Sequence, residues 1–317
     1  MPWPFKSRRA NTSPANPMRP DSPLSPHEPM RSDVELVEAI AAAHLPDGIK
    51  ERWLGLLRPA IHLIPAADAS PVVARLGGVP DLPTDAAWPT WSGHGPLAFI
   101  GEVQCTVAAQ FEIDLSIPSS GRLLFFYFDG SYDNFATTVG TWDAATLQGA
   151  RAIHVPDDVP CMPVPTPVGV CTYPERRFAG RTIVTAPGWE HPDLRDAFLS
   201  SHDDDRSFLD HPVNGDAFND ALHERHAGPV HQVGGYADPV QGPVENEVAL
   251  AALNNETPYG DPRLDAEARR WELLLQVDTD EALDMMWGDC GVLYWMARPD
   301  DLAVGNLSEM SFTWQCG

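Results

Sequence analysis

Basic residues are scarce in this chain, with 21 Lys and Arg against 45 Asp and Glu among 317 residues and a net charge of −24. Nucleic-acid backbones and anionic bilayer surfaces are bound by neutralising their charge with Lys and Arg, so both are excluded as expected partners. Cysteine is also thin: Cys105, Cys161, Cys171, Cys290 and Cys316 are odd in number, widely spaced and without a C-x-x-C pair. That spacing supports neither a zinc ribbon nor a disulfide framework, and a cytoplasmic setting is expected. No apolar run reaches the roughly 18 residues of a membrane span. The basic start at Lys6, Arg8 and Arg9 is followed by no apolar stretch of a secretory signal. Absent too are the G-x-G-x-x-G and Walker spacings, a G-x-S-x-G elbow, H-E-x-x-H and S-x-x-K with its companions. No cofactor is expected, and no reaction can be named from a motif.

What is abundant is proline, with 32 residues, and 43% of the chain is hydrophobic. This is the composition of a globular protein whose short segments are punctuated by turns. Residues 1 to 31 read as a disordered, Pro-rich tail. It carries Lys6, Arg8, Arg9, Arg19 and Arg31 against Asp21 and Glu28, a net +3 that leaves −27 on the body. Residues 32–317 are expected to form one domain of two related halves, about 59–187 and 228–317, joined by a helical connector over about 188–227.

Ser32 with Glu35 forms a capping box, and Val34, Val37, Ala41 and Leu45 follow at helical spacing until Pro46. A short second helix is expected over 49–57. Strands are predicted at 60–64, 97–103, 122–128 and 182–185. The run Leu123 to Phe128 is apolar on both faces and is expected to be covered on both sides. Helices are expected from Pro192, from near Pro212, and over 245–253. The predicted class is α+β, predominantly β, with peripheral short helices.

Three landmarks recur in the same order. Gly77-Gly78 and Gly234-Gly235 come first, each calling for a backbone with φ above zero or a close chain approach. Leu97–Gln104 and Leu273–Asp278 follow as strands, then Gly121–Phe126 and Gly291–Met296 as glycine-led apolar strands. Such order points to an internal duplication.

The first Gly-Gly segment continues as Val79-Pro80-Asp81-Leu82-Pro83, with Trp88-Pro89 beyond, and the second opens as His231-Gln232-Val233. The C-terminal part reads Leu273 to Asp280, Met286-Trp287-Gly288-Asp289, Gly291, Arg298-Pro299-Asp300-Asp301-Leu302 and Phe312-Thr313-Trp314-Gln315-Cys316. On these motifs the chain resembles the YwqG-like family, bacterial proteins built on a domain of unknown function, from about residue 59 to the C-terminus. The resemblance implies a duplicated, predominantly β fold, and it implies no activity because the family offers none to carry over. The Pro-rich tail and the segment with Asp203-Asp204-Asp205 depart from it.

The recurrent strands place Glu102 and Gln104 against Gln276 and Asp278. If the halves pack about a pseudo-twofold, these four can converge on one cleft, for acid–base work or for a cation; pairing with backbone inside the sheet is the plainer expectation. Asp278, Asp280, Asp284 and Asp289 lack the spacing of an EF-hand loop and read as turn formers. His223, His226 and His231 can be metal ligands or solvated surface residues; no metal site is expected. Candidate cleft residues are therefore Glu102, Gln104, His231, Gln276, Asp278, Trp287 and Asp289. The leading expectation is a protein that binds a basic protein partner or a small ligand between its halves. A hydrolase-like enzyme with carboxylates in that cleft, and a cation or small-molecule sensor, are the alternatives.

Overall fold

A computed structural model describes residues 28–189, 191–199 and 208–317. The expected tail lies outside these residues up to position 27. Helix α1 spans Glu28–His44, so it starts one turn before the Ser32–Glu35 capping box. Pro29 falls in its first turn, where the missing N–H has no intrahelical partner to lose. Helix α2 covers Asp47–Leu54. The later helices are α3 (Cys105–Ala108), α4 (Pro192–Phe198), α5 (Asp216–Glu224), α6 (Val244–Ala252), α7 (Pro262–Ala268) and α8 (Pro299–Ala303).

The strands of the first part are β1 (Arg58–Pro65), β2 (Ala74–Leu76), β3 (Asp81–Pro83), β4 (Thr90–Trp91), β5 (Gly95–Pro96), β6 (Ala98–Gln104), β7 (Arg122–Tyr127), β8 (Ala150–Val155), β9 (Cys161–Pro163) and β10 (Arg176–Thr185). Those of the second are β11 (Gln232–Val233), β12 (Glu272–Asp278), β13 (Val292–Ala297) and β14 (Ser311–Gln315). Ten of them form one antiparallel sheet in the order β14-β13-β12-β11-β1-β10-β2-β6-β7-β8. The order is palindromic about the β1–β10 pair: on each side a short strand ending in Gly-Gly is followed outward by three strands in chain order. The registers match as well. Arg75 lies opposite Glu102 as Gln232 lies opposite Gln276. A bulge falls between Phe99 and Gly101 against β7, and another between Leu273 and Leu275 against β13. The lead strand β1 pairs with β11 rather than with its sequence neighbour β2, and β10 pairs with β2.

Both Gly-Gly turns adopt the left-handed backbone, with φ of 69° and 74° at Gly77 and Gly78 and 72° and 69° at Gly234 and Gly235. A Cβ at Gly77 would strike the Pro174 carbonyl; at Gly235 it would lie 2.5 Å from the Thr185 hydroxyl. The residue two before each turn clamps it. Arg75 donates to the carbonyls of Gly77 and Val79, and Gln232 to those of Gly234 and Tyr236.

The sheet curls until its inner face meets itself. Phe125 and Tyr127 of β7 pack on Trp295 of β13 and Phe312 of β14, with ring centroids 5.4 Å and 4.9 Å apart. The run from Leu123 to Phe128 is buried throughout, as expected for a strand covered on both faces. Helices cover the outer face. Val37, Ala41, Trp53 and Phe218 from α1, α2 and α5 bury against Val184. Val244 and Val248 of α6 and Leu264 of α7 bury against Leu273, Tyr294 and Met296. Among the described residues no helix is long and apolar enough to cross a membrane.

Candidate functional site

The space between the halves is the apolar core just described; Trp287 packs into it and His231 lies against its Phe178, while Glu102, Gln104 and Gln276 lie away from it. Glu102 stands opposite Leu124, whose side chain alternates with the inward Phe125, so it faces outward. There it meets Arg75 at 3.2 Å and accepts from Gln104 at 3.0 Å. Gln276 stands opposite Tyr294, which alternates with inward Trp295, and also faces outward. Its amide donates to the Val230 carbonyl and accepts from Asp238 N–H, both at 3.0 Å. Four strands separate the two sets, and their hydrogen bonds do not join them. Asp278 accepts from Val230 N–H at 2.9 Å, and burial raises its pKa above the ordinary carboxylate value. His231 is buried; its Nδ1 accepts from Asp278 N–H and its Nε2 faces Asp280 at 3.3 Å. Trp287 packs against Tyr127 and Tyr173 and donates to the Asp278 carbonyl. Asp289 is exposed, and its carbonyl receives Gly317 N–H.

The halves do enclose an opening elsewhere, at the free edge of β14. Its floor is Glu247 in the first turn of α6. One carboxylate oxygen accepts from the Thr313 hydroxyl at 2.6 Å and the other from the Gln315 amide at 2.8 Å. Gln315 is itself fixed, accepting from Val240 and Gln241 N–H and donating to the Gly242 carbonyl. Burial raises the Glu247 pKa above the ordinary 4.5, while these two donors oppose the rise. Trp142 forms one wall. Its ring lies over Gly140, where a Cβ would collide with it, and its segment is pinned by Thr146, which bonds both the Gly140 N–H and the Asp143 carbonyl.

Trp314 and Tyr259 form the facing walls, and the Trp314 indole donates to the Val139 carbonyl at 2.8 Å. Asn254 and Asn255 close α6 at φ of 56° and 57°, the left-handed conformation that Asn tolerates at a helix end. The Asn255 amide reaches the Thr141 carbonyl at 2.9 Å, tying the two sides of the seam. The cavity holds about 260 Å³, below the usual range for a drug-sized ligand, so it suits a head group. Trp142 and Tyr259 are 60% and 69% exposed, which leaves large aromatic surfaces open to a visitor.

A family model described as a domain of unknown function, DUF1963, matches residues 74–316. The chain belongs to this family. No curated protein matches it. The DUF1963 region begins at β2, so it takes in both Gly-Gly turns and every residue lining the seam, but leaves out β1. Sequence reasoning missed Trp142, Glu247 and Tyr259. Their only signal was an aromatic two residues beyond Gly140 and a pair of carboxylates, Glu245 and Glu247, in the first turn of a helix that is apolar from Val248 on.

The histidines weighed as metal ligands or surface residues have separate partners. His223 faces Asp238 at 3.3 Å, His226 packs 5.1 Å from His62, and His231 serves Asp278 and Asp280. Among the described residues no three His, Cys, Asp or Glu side chains are placed to hold a metal ion. Asp280 instead caps the turn at Ala282, and Asp284 adopts φ of 52°. All five cysteines are free, and burial pushes the Cys105 thiol up to about 12.

Proposed function

We propose that this is a binding protein whose seam pocket takes a cationic group, the ammonium end of a basic protein side chain or of a small molecule. The observation that carries this reading is the pairing of three aromatic rings with a half-buried carboxylate, Glu247. Aromatic faces carry negative potential, and a desolvated ammonium against them gains about 0.5–2 kcal/mol per ring. Glu247 adds a carboxylate at the floor, and the net −24 of the chain concentrates cations around the entrance. The family is one without an assigned activity, and the YwqG-like resemblance agrees with that. We further infer that the two sides of the palindromic sheet are copies of one unit, and that the seam arose where they meet. A cytoplasmic setting belongs to the same reading.

The test is a titration with tetramethylammonium, followed by tryptophan fluorescence and calorimetry, with the neutral isostere 3,3-dimethylbutanol as control. Saturable one-to-one binding of the cation is expected, with the alcohol far weaker. Trp142→Ala and Glu247→Gln should each weaken binding by about three- to thirtyfold, the range of one cation–π contact or charge-assisted partner. Equal binding of the alcohol, or unchanged binding by both variants, would sink the idea.

A further inference from the structure

A second cavity lies over the middle of the outer face, and its chemistry is of the opposite sign. Antiparallel pairing of β1 and β10 sets His62 directly across from Arg181, and Arg181 Nη2 lies 3.1 Å from His62 Nδ1. The other His62 nitrogen is bonded to the Pro229 carbonyl. Just beyond the end of α5, Arg225 donates to the carbonyls of Leu222 and Val184. Neither guanidinium forms an ion pair with a carboxylate among the described residues. Asp33 and Asp238 are in Coulombic range of Arg225, but Asp33 accepts Val184 N–H and Asp238 lies beside His223. Burial lowers the pKa of His62 to about 4 and of His226 to about 3, so both rings are neutral near pH 7 and the cluster carries two positive charges.

Three buried nitrogens in this cluster have no hydrogen-bond partner: Arg181 Nε, Arg225 Nε and His226 Nε2. Buried polar groups are nearly always paired, and buried charges need a counter-charge. In a chain with 45 acidic residues, two interior arginines without a carboxylate partner are an anomaly. Arg225 and His226 line a cavity of about 110 Å³ together with Thr185, Asn219, Gln232 and Tyr236. That volume admits one small oxyanion and little more. Asp238 is the single acidic residue on its wall.

The geometry points to a site for a small oxyanion, a phosphate or a carboxylate group, bound by Arg225 and His226 with Arg181 behind them. A planar guanidinium is suited to such oxygens, and an N–H on His226 Nε2 adds a further donor. The site is independent of the cation pocket, with which it shares no lining residue.

The test is nuclear magnetic resonance of the arginine Nε–H groups and histidine rings in the full chain, at constant ionic strength. Inorganic phosphate and acetate are added in separate arms, with chloride as the control. Saturable, one-to-one shifts of the Arg225 Nε–H and His226 signals are expected in at least one arm, with the His226 titration midpoint moved upward. A response to phosphate alone assigns a phosphate group, and one to acetate alone assigns a carboxylate. Arg225→Gln should weaken binding at least tenfold; His226→Leu serves as the second variant if that one does not fold. Trp142→Ala should leave the anion response intact, which separates failure here from failure at the seam. The proposal is overturned if neither anion moves these signals more than chloride, or if the variants bind as the parent does.

Discussion

In the first half of the sheet the residue that clamps the Gly-Gly turn is Arg75; in the second half it is Gln232. Both reach the carbonyls at the second and fourth positions beyond them. Their cross-strand partners differ in the same sense, Glu102 against Gln276. What covers the outer face explains the exchange. Around Arg75 the cover is open enough for its guanidinium to reach Glu175, half exposed at the rim. Around Gln232 and Gln276 the segment 230–238 closes over the strands, leaving both side chains at most 2% exposed. An ion pair sealed that deeply costs more desolvation than its attraction returns, whereas an amide satisfied by backbone costs little. The same frame therefore holds an ion pair where its arginine can reach the rim and amides where the cover is closed. The carboxylate of the second half sits one notch further out, at Asp278, where it accepts from Val230 N–H while the residue's own N–H donates to His231 Nδ1.

The largest expected contrast is between the arginine and glutamine clamps. Arg75→Met strands the buried Glu102 carboxylate and should cost about 3 kcal/mol, while adding Glu102→Leu should recover much of it. Gln232→Leu strands two carbonyls and should cost about 2 kcal/mol. Urea unfolding measures both, and equal losses would break the account of charge and cover. Next come Gly77→Ala and Gly234→Ala. Both pay for a left-handed alanine, about 1 kcal/mol. Only Gly77 also meets a rigid backbone, since at Gly234 the Cβ would face the Ile113 side chain at 3.3 Å. Gly77→Ala should therefore lose at least 1 kcal/mol more.

The smallest effect separates Asp278 from Asp280. The His231 hydrogen bond holds the Asp280 pKa below the ordinary 3.8, so its stabilisation is present above that pH and lost as pH falls through the folded value. Burial raises the Asp278 pKa, so its contribution is present at low pH and lost as pH rises from 3.8 through the folded value. Asp280→Asn should thus cost about 1 kcal/mol at pH 7 and progressively less as pH falls through the folded value. Asp278→Asn should be neutral or stabilising at pH 7. Melting curves across that range check the opposed signs.

Much of the frame was legible in the residues. The strands at 60–64, 97–103 and 122–128 are apolar enough to announce themselves, and Pro192 after His191 marks a helix start that His191 caps through its Nδ1. Strand β8 was not legible, because Ile153 and His154 are both only partly buried and blur its alternation. The strand expected at 182–185 extends back to Arg176, through three arginines and Gly180 that pairing with β1 and β2 holds extended. The site was less legible still. Thr141 and Trp142 lie more than a hundred positions from Glu247 and Thr313, and nothing local ties them.

The sequence by itself determined the left-handed Gly-Gly turns, the doubly buried strand and the acidic character, because steric limits, hydrophobicity and charge act residue by residue. The tertiary structure alone decided that β1 crosses to pair with β11 and that the inner faces close into a core. It also decided that the openings fall at the sheet edge and over its middle. Those outcomes depend on which surfaces bury one another, a property of pairs of distant residues that no single stretch carries.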